Sequence, residues 1–290
     1  MNSTELLSKI KKIEIKARGM SKQLFSGQYS SAFKGKGMTF AEVREYQFGD
    51  ETRTIDWNVT ARFNEPFVKT FEEEREQTVM LVIDVSASET FGSTNTSKRE
   101  YITEVSAVLA FSAISNNDKI GVIFFSDQVE KFIPPRKGRN HILRIIKDLL
   151  EFEPEHKGTD LSAGLIHLTN AVKRRCTAFL VSDFLDTDYF NALKMANSKH
   201  DLIAIKCFDP IETNLPKLGL VRMFNPEKAT KSWVNTNSSS TRKSYENWWN
   251  GMNDQFEEYC KKTGIDKVIL NTNEPYASPL MKTFKKRGLK

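Results

Sequence analysis

The sequence predicts an α/β fold with a doubly wound, mainly parallel sheet. Short, continuous apolar runs such as Thr78–Asp84 and Ile120–Phe125 have the pattern of strands that are buried on both faces of a parallel sheet. Segments with apolar residues at helical spacing alternate with these runs, which is typical of a sheet with helices on both faces. At 290 residues the chain is long enough to bury such a core.

Residues 1–75 are predicted to form an N-terminal extension of this fold. Residues 5–24 have apolar side chains at helical spacing with lysines between them, which predicts a basic amphipathic helix that docks on the protein's own core. The glycine- and serine-rich residues 26–40 predict a loop. A short helix is expected at Phe40–Tyr46 and an extended segment at Phe67–Phe71.

The sheet and its helices are predicted to occupy residues 76–290. The expected strands are Thr78–Asp84, Ile120–Phe125 with a hairpin partner at Val129–Ile133, Ala178–Ser182, Leu202–Cys207 and Lys267–Leu270. The expected helices are Lys98–Ser115, Asn140–Phe152, Leu161–Lys173, Tyr189–Ser198 and Pro279–Lys286. A C-terminal elaboration is expected to add a hairpin at about residues 219–235 and a helix at about residues 245–262.

Composition and patterning narrow the class of protein. No apolar run approaches the roughly 20 residues that a membrane-spanning helix needs, and the lysine-interleaved N-terminus lacks the pattern of a signal peptide. The three cysteines, Cys176, Cys207 and Cys260, are too few and too widely spaced for a disulfide framework or a zinc clip. A cytoplasmic protein without a transmembrane segment is therefore expected.

The net charge of +6 comes from the two ends of the chain. Residues 1–36 have a net charge of +6 and residues 282–290 of +5, so the residues between them have a net charge of −5. This distribution disfavours nucleic-acid binding, which requires clustered Lys and Arg on the folded surface. Basic ends suit an acidic partner or a membrane surface, although a solvated helix face at Lys285–Arg287 is the simpler explanation.

Oxygen-bearing side chains occur where predicted strands end and where one predicted helix begins. They are Asp84, Ser86 and Ser88 after the first strand of the sheet, Thr159 before the helix at Leu161, and Asp183 after the strand Ala178–Ser182. Ligands of open α/β sheets bind beyond the carboxyl ends of the strands, and Mg²⁺ takes oxygen ligands in octahedral geometry. We therefore predict one divalent ion, Mg²⁺ or alternatively Mn²⁺ or Ca²⁺, at these five residues, with an open position for a partner's acidic side chain.

Each part of this pattern also has a structural explanation. Serine and aspartate at strand ends commonly form turns or cap helices. Asp160 is expected to cap the helix that begins at Leu161, and Ser97 the helix that begins at Lys98. The metal site is favoured over these structural explanations because all three segments, D-x-S-x-S, the Thr159 loop and Asp183, occur in the expected order at predicted edges of the sheet or its helices.

The pattern resembles the metal-ion-dependent adhesion site of von Willebrand A domains. That family has D-x-S-x-S after its first strand, a threonine in the second loop and an aspartate after a later strand. Here these are Asp84-Val85-Ser86-Ala87-Ser88, Thr159 within G-T-D-L-S-A-G-L, and Asp183 within L-V-S-D-F. One departure is Phe184, which stands where many members have glycine and removes no ligand.

A second resemblance covers nearly the whole chain. The residues from Gly35 to Lys69 are similar to the signature of domain-of-unknown-function family fifty-eight, which precedes a von Willebrand A core. The matching positions are Arg44, Tyr46, Gly49, Asp50, Arg53, Asp56, Trp57, Ala61 and Arg62. The C-terminal Thr272-Asn273-Glu274-Pro275-Tyr276, with Phe284 and Arg287, is similar to that family's ending.

The resemblance implies a role in protein interactions. Members of that family are commonly encoded beside MoxR-type AAA+ ATPases, which implies an adaptor or co-chaperone whose metal docks a partner's carboxylate. Four signature residues, Arg53, Asp56, Trp57 and Arg62, have two explanations. They either support the start of the von Willebrand A core as buried ion pairs, which is the favoured explanation, or form a partner-docking surface.

Two other functions are less consistent with the sequence. A metal-dependent phosphoester hydrolase of the haloacid-dehalogenase type needs a second aspartate two residues after the first, and that position is Ser86. A serine nucleophile needs a positioned base, and the four histidines are scattered along the chain. The chain is therefore predicted not to be an enzyme. An adaptor that binds membrane surfaces or nucleic acid through its basic ends is the other alternative.

Overall fold

The fold is built around a six-stranded sheet. A computed structural model describes residues 3–25, 38–73, 77–86, 88, 97–156, 158–225 and 230–288. The strands are β3 (Thr78–Asp84), β4 (Lys119–Phe125), β5 (Val129–Arg136), β6 (Thr177–Ser182), β7 (Asp201–Phe208) and β10 (Asp266–Asn271). Their order is β10-β7-β6-β3-β4-β5, and every adjacent pair is parallel except β4 and β5. The predicted α/β fold with a doubly wound, mainly parallel sheet is confirmed.

Helices cover both faces of this sheet. One face carries α1 (Ser3–Phe25), α3 (Lys98–Ser115), α4 (Arg139–Glu151) and α9 (Ala277–Gly288), and the other carries α5 (Leu161–Ala171), α6 (Phe190–Lys199) and α8 (Ser239–Thr263). Successive strand residues point to opposite faces. In β3, Leu81 and Ile83 therefore join the first core while Met80 and Val82 join the second.

The N-terminal helix α1 seals the first core. Helix α3 is buried around most of its circumference, and a helix of that kind needs cover on its outer side. Helix α1 supplies the cover with Leu6, Ile10, Ile13 and Ala17, all of which are buried in the same core. The predicted docking of the basic helix on the protein's own core is confirmed.

The prediction of a helix at Phe40–Tyr46 is wrong. Residues Met38–Glu45 form strand β1, which pairs antiparallel with β2 (Phe67–Glu73). Pairing with a strand that is distant in the sequence overrides weak local preferences. The predicted loop at residues 26–40 ends earlier than expected, since residues 38–40 belong to β1, and residues 26–37 lie outside the described part of the chain.

Two short elements lie between β1 and β2. They are a 3₁₀ turn at Thr52–Thr54 and helix α2 (Trp57–Phe63). The predicted division between residues 1–75 and 76–290 stays a prediction, because residues 74–76 lie outside the described part.

The predicted C-terminal hairpin is present as β8 (Leu220–Asn225) and β9 (Thr230–Asn235), which pair antiparallel. Helix α7 (Pro210–Thr213) precedes it. Helix α8 begins at Ser239, six residues before the predicted start at about residue 245, because the side chain of Ser238 accepts a hydrogen bond from the N–H of Thr241 and caps the helix. No described helix is of a length and apolarity that would allow it to cross a membrane.

The basic C-terminal helix α9 is part of the fold. Lys285 and Lys286 are exposed, as a solvated face requires. The guanidinium of Arg287, in contrast, pairs with Asp201 at the start of β7 and with Asp266 at the start of β10, the latter at 2.8 Å. Its side chain is only 10% exposed. Arg287 therefore ties α9 to the edge of the sheet.

Candidate metal site

Sheet topology brings the ends of β3 and β6 together. From β3 the chain passes to β4 and β5 on one side and then crosses to β6 on the other. This reversal is a topological switch point, where α/β sheets bind ligands. The Ser182 hydroxyl at the end of β6 donates to Oδ2 of Asp84 at the end of β3 over 2.8 Å.

The loop after β3 turns back on the carboxylate of Asp84. The Ser86 N–H donates to Oδ1 of Asp84 over 2.9 Å, and the hydroxyl oxygens of Ser86 and Ser88 lie 3.1 Å apart. Asp84 and Ser86 are fully buried, and Ser88 is half-buried. Alternate residues of D-x-S-x-S thus direct three oxygen groups toward one place.

Asp183 joins this cluster from the end of β6. The Ser88 hydroxyl is a hydrogen-bond partner of its carboxylate, and the Leu185 N–H donates to its Oδ1 over 3.2 Å. Its Oδ2 lies 3.1 Å from the ammonium of Lys98, at the start of α3. Four of the five predicted ligands are therefore in one connected cluster.

The fifth predicted ligand, Thr159, lies in the neighbouring loop. The N–H of the next residue, Asp160, donates to the carbonyl of Ser126 just past β4, so this loop lies at the same edge of the sheet. Thr159 is half-buried, and no hydrogen bond between it and the other four is seen among the described residues. Asp160 caps α5 and Ser97 caps α3, as predicted.

The two buried carboxylates have opposite pKa shifts. Burial, followed by the negative charge of Asp183, raises the pKa of Asp84 above its usual value. Burial acts in the same direction on Asp183, but the charge of Lys98 and the hydrogen bonds from Lys98, the Leu185 N–H and Ser88 together outweigh it, and the pKa of Asp183 is lowered. Asp183 is therefore the more strongly stabilised anion of the pair.

Lys98 also contacts a second carboxylate, that of Glu212, and no pattern in the sequence indicates this contact. Its ammonium lies 3.1 Å from Oε1 of Glu212 on α7, and the Lys98 side chain is completely buried. Glu212 forms a capping box with Asp209, a pattern that D-P-I-E shows in the sequence. The capping box reveals the helix start but not the contact with Lys98, because 114 positions separate the two partners.

A second buried lysine, Lys206 on β7, lies near the same cluster. Its ammonium is over the rings of Trp249 and Phe256, 5.5 Å and 5.2 Å from their centroids. Burial lowers the pKa of Lys206 to about 8, and the charge of Asp183 acts in the opposite direction. Both buried lysines thus interact electrostatically with Asp183.

Phe184, the departure from the von Willebrand A pattern, has left-handed backbone geometry. Its φ of 55° is a conformation that favours glycine. The phenyl ring is fully buried, and its centroid lies 4.5 Å from that of Phe256. The Phe184 N–H donates to the Ser182 hydroxyl. Burial of the ring therefore offsets the backbone strain, and the loop keeps the turn that glycine allows elsewhere.

The donors of this cluster fit a hard divalent ion. Two carboxylates and two hydroxyl groups are the oxygen ligands that Mg²⁺ prefers, and water normally completes its coordination. No group of three or more His, Cys, Asp or Glu side chains suited to a metal is found in the described ranges. The described cluster contains only two side chains of these four types, Asp84 and Asp183. Its other two oxygen donors are the hydroxyl groups of serines.

The four signature residues are mostly exposed. The side chain of Asp56 caps α2 and lies 3.3 Å from the Lys69 ammonium. Arg53 and Arg62 are exposed, and Trp57 is 70% exposed. The favoured explanation, burial as ion pairs beneath the core, is therefore wrong for Arg53, Trp57 and Arg62. The structural role at Asp56 is a helix cap.

Residues 42–253 match the model of the family described as "Protein of unknown function DUF58". The chain belongs to the DUF58 family. Over 231 residues it is 28% identical to the uncharacterized protein Rv1480 of Mycobacterium tuberculosis, covering 78% of this chain and 73% of that protein. Over 109 residues, 38% of this chain and 25% of that protein, it is 28% identical to the uncharacterized protein YeaD of Bacillus subtilis.

Solved structures share the fold of this DUF58 protein. The conserved hypothetical protein BatB from Bacteroides thetaiotaomicron is 16% identical, with a TM-score of 0.50 over 74% of this chain and 100% of that chain. An aerotolerance-related membrane protein from Bacteroides fragilis is 15% identical, with a TM-score of 0.50 over 73% and 98%. At these identities the likeness shows the fold alone. The fold of the DUF58 protein is von Willebrand A-like, as the resemblance in sequence predicts.

Proposed function

We propose that this DUF58 protein is a metal-dependent protein–protein interaction module. One ion, Mg²⁺ or alternatively Mn²⁺ or Ca²⁺, would be held by Asp84, Ser86, Ser88, Thr159 and Asp183. The observation that carries the proposal is the buried cluster of Asp84, Asp183 and the two serine hydroxyls at the switch point of the sheet. Bound there, the ion supplies a positive centre for a partner's acidic side chain.

The charges around the cluster support an acidic partner. Asp84, Asp183 and Glu212 bring three carboxylates, and Lys98 and Lys206 bring two ammonium groups. With all five groups ionised, these described side chains together have one net negative charge. A divalent ion turns that into one net positive charge in a poorly hydrated place, where an incoming carboxylate is stabilised.

The same arrangement favours binding over catalysis. None of the four histidines hydrogen-bonds to Asp84, Ser86 or Ser88 in the described residues. Their neighbours are the Ile120 carbonyl for His141, Asp127 for His156, the Phe132 ring for His167 and Cys176 for His200. A serine nucleophile would therefore lack a histidine base. Turnover of a generic phosphate ester that Asp84→Asn abolishes would instead establish a hydrolase.

Metal binding is tested by thermal and chemical unfolding. Mg²⁺ or Mn²⁺ at about ten times its dissociation constant is expected to stabilise the folded state by about 1.4 kcal/mol, and Asp84→Ala is expected to abolish this increment. Ser126→Ala is the matched control. Ser126 is a buried serine past the end of the adjacent strand β4, but its hydroxyl donates to Glu130. An unchanged midpoint in the wild type at millimolar metal would refute the metal site.

We further propose that the partner is a MoxR-type AAA+ ATPase, for which this protein acts as an adaptor or co-chaperone. The support is the membership of the DUF58 family, which the resemblance in sequence links to such ATPases, together with the positive charge that a bound divalent ion would give the cluster. Immobilised wild-type protein is expected to retain the ATPase from native lysate with Mg²⁺ and to lose it with EDTA or with Asp84→Ala. Retention that is indifferent to both treatments would contradict metal-dependent docking.

A further inference from the structure

Lys98 places a permanent cation against one of the proposed metal ligands. Its side chain is completely buried, and its ammonium lies 3.1 Å from both Asp183 Oδ2 and Glu212 Oε1. A buried ammonium is costly unless carboxylates compensate its charge. The contact is therefore an obligatory part of the folded core and not a mobile surface pair.

When no divalent ion is bound, both carboxylate oxygens of Asp183 already have partners. One carboxylate oxygen faces Lys98, and the other accepts the Leu185 N–H over 3.2 Å. A divalent ion must compete with the ammonium for the charge of Asp183. It must also come close to the Lys98 ammonium, which lies beside the same carboxylate. The repulsion between these two positive charges is strong at low dielectric.

Building on the proposed function, we propose that Lys98 is a resident cation of the metal site: it holds Asp183 in place without a divalent ion and lowers the affinity for that ion. Glu212 is the second ion-pair partner of Lys98. The ammonium can therefore stay paired with Glu212 while Asp183 binds the metal. The site thus keeps its shape in the empty state and binds metal weakly and reversibly.

The inference is tested by direct titration of Mn²⁺ alone, followed by calorimetry and electron paramagnetic resonance. Lys98→Met removes the charge and keeps the length of the side chain, and it is expected to lower the Mn²⁺ dissociation constant at least tenfold. Lys9→Met is the matched control. Lys9 lies on α1 and pairs with Glu100 on α3 at the protein surface, and its replacement is expected to leave the Mn²⁺ affinity unchanged.

A second variant covers the event that Lys98→Met does not fold. The double substitution Lys98→Met with Glu212→Gln removes one positive and one negative charge, so that no extra buried charge remains. Tighter Mn²⁺ binding by this variant supports the inference, and since the net charge of the cluster is unchanged, the gain is due to release of Asp183. Affinities equal to or weaker than wild type in both variants would overturn it.

The outcomes separate this inference from the proposed function. If the wild type binds Mn²⁺, Ser86→Ala loses it and the Lys98 variants match the wild type, the metal site stands and the inference fails. If only the Lys98 variants bind Mn²⁺, the inference holds and metal-dependent function in the wild type fails. If no variant binds Mn²⁺, both fail.

Discussion

Lys206 is a buried side chain whose charge works against folding at neutral pH. It is 2% exposed, and no hydrogen-bond partner of its ammonium is seen in the part of the chain that the structure describes. Contacts with the rings of Trp249 and Phe256 compensate only part of the lost hydration. The charged form of Lys206, the second cation near Asp183, therefore lowers the stability of the folded protein.

This cost predicts a pH dependence. Burial lowers the pKa of Lys206 from its ordinary value of 10.5 to about 8 in the folded state. Between pH 8 and 10.5 the unfolded chain binds more protons, so the contribution of Lys206 becomes more favourable to folding as the pH rises through that window. The free energy of unfolding of Lys206→Met, relative to wild type, is expected to fall by about 2 kcal/mol from pH 7 to pH 10.

Urea denaturation of both proteins at several pH values measures this difference directly, and other titrating groups cancel in the comparison. A difference that is constant from pH 7 to pH 10 would show that Lys206 stays hydrated.

The sequence predicts the part of the candidate site whose residues lie close together in the chain. Asp84, Ser86 and Ser88 follow one strand with alternate spacing, so the sequence itself shows their convergence. Lys98 and Glu212 could not be found in this way, since their contact depends on how distant elements pack. A lysine in the first turn of a helix also opposes the helix dipole, and its ion pairs with Asp183 and Glu212 compensate for this.

At the scale of elements, Gly164 decides how closely α5 packs on β4. A Cβ atom added to Gly164 would lie 2.8 Å from a carbon of the buried Phe125 ring. This glycine belongs to the G-T-D-L-S-A-G-L segment that also contains Thr159. Close packing of α5 therefore helps to place the Thr159 loop at the edge of the sheet.

Two glycine substitutions test this packing. Gly164→Ala is expected to lower the free energy of unfolding by about 1–3 kcal/mol, because the methyl group overpacks the core. Gly251→Ala in α8 is the matched control: it is exposed, and nothing lies within 4 Å of its added Cβ. That change is expected to stabilise the protein by about 0.5–1 kcal/mol through helix propensity. Equal effects at the two positions in urea denaturation would contradict the close approach.

Elements with a continuous local signal were predictable to within a residue or two. The buried strands β3 and β4 and the helix α3 are examples, since their apolar patterns are visible in the sequence. Strand β1 was not, because its conformation depends on pairing with β2, whose residues lie about 30 positions away. The polar first turn of α8 has no apolar periodicity, and its start depends on the cap at Ser238.

At the scale of the whole molecule, Arg287 links the last described helix to the sheet. Its ion pairs with Asp201 and Asp266 join three elements, and the neighbouring Phe284 is fully buried. Removing residues 282–290 would therefore unfold part of the core as well as remove positive charge. A truncation of that kind cannot test binding by the basic end.

Single substitutions separate these two contributions. Arg287→Met is expected to lower the free energy of unfolding by about 2 kcal/mol, because two partly buried carboxylates lose their partner. Lys286→Met removes the same charge from an exposed position and is expected to change stability by about 0.5 kcal/mol or less. Chemical denaturation distinguishes them, and similar losses would show that Arg287 is solvated in solution.

The position of α1 also has a consequence for how the chain is made. Its apolar stripe of Leu6, Ile10 and Ile13 is buried against α3, α4 and α9, and α9 consists of residues 277–288. On the ribosome α1 is therefore synthesised long before its complete docking surface exists. Until then its stripe faces water, and the nascent chain is expected to expose an apolar surface of the kind that chaperones bind.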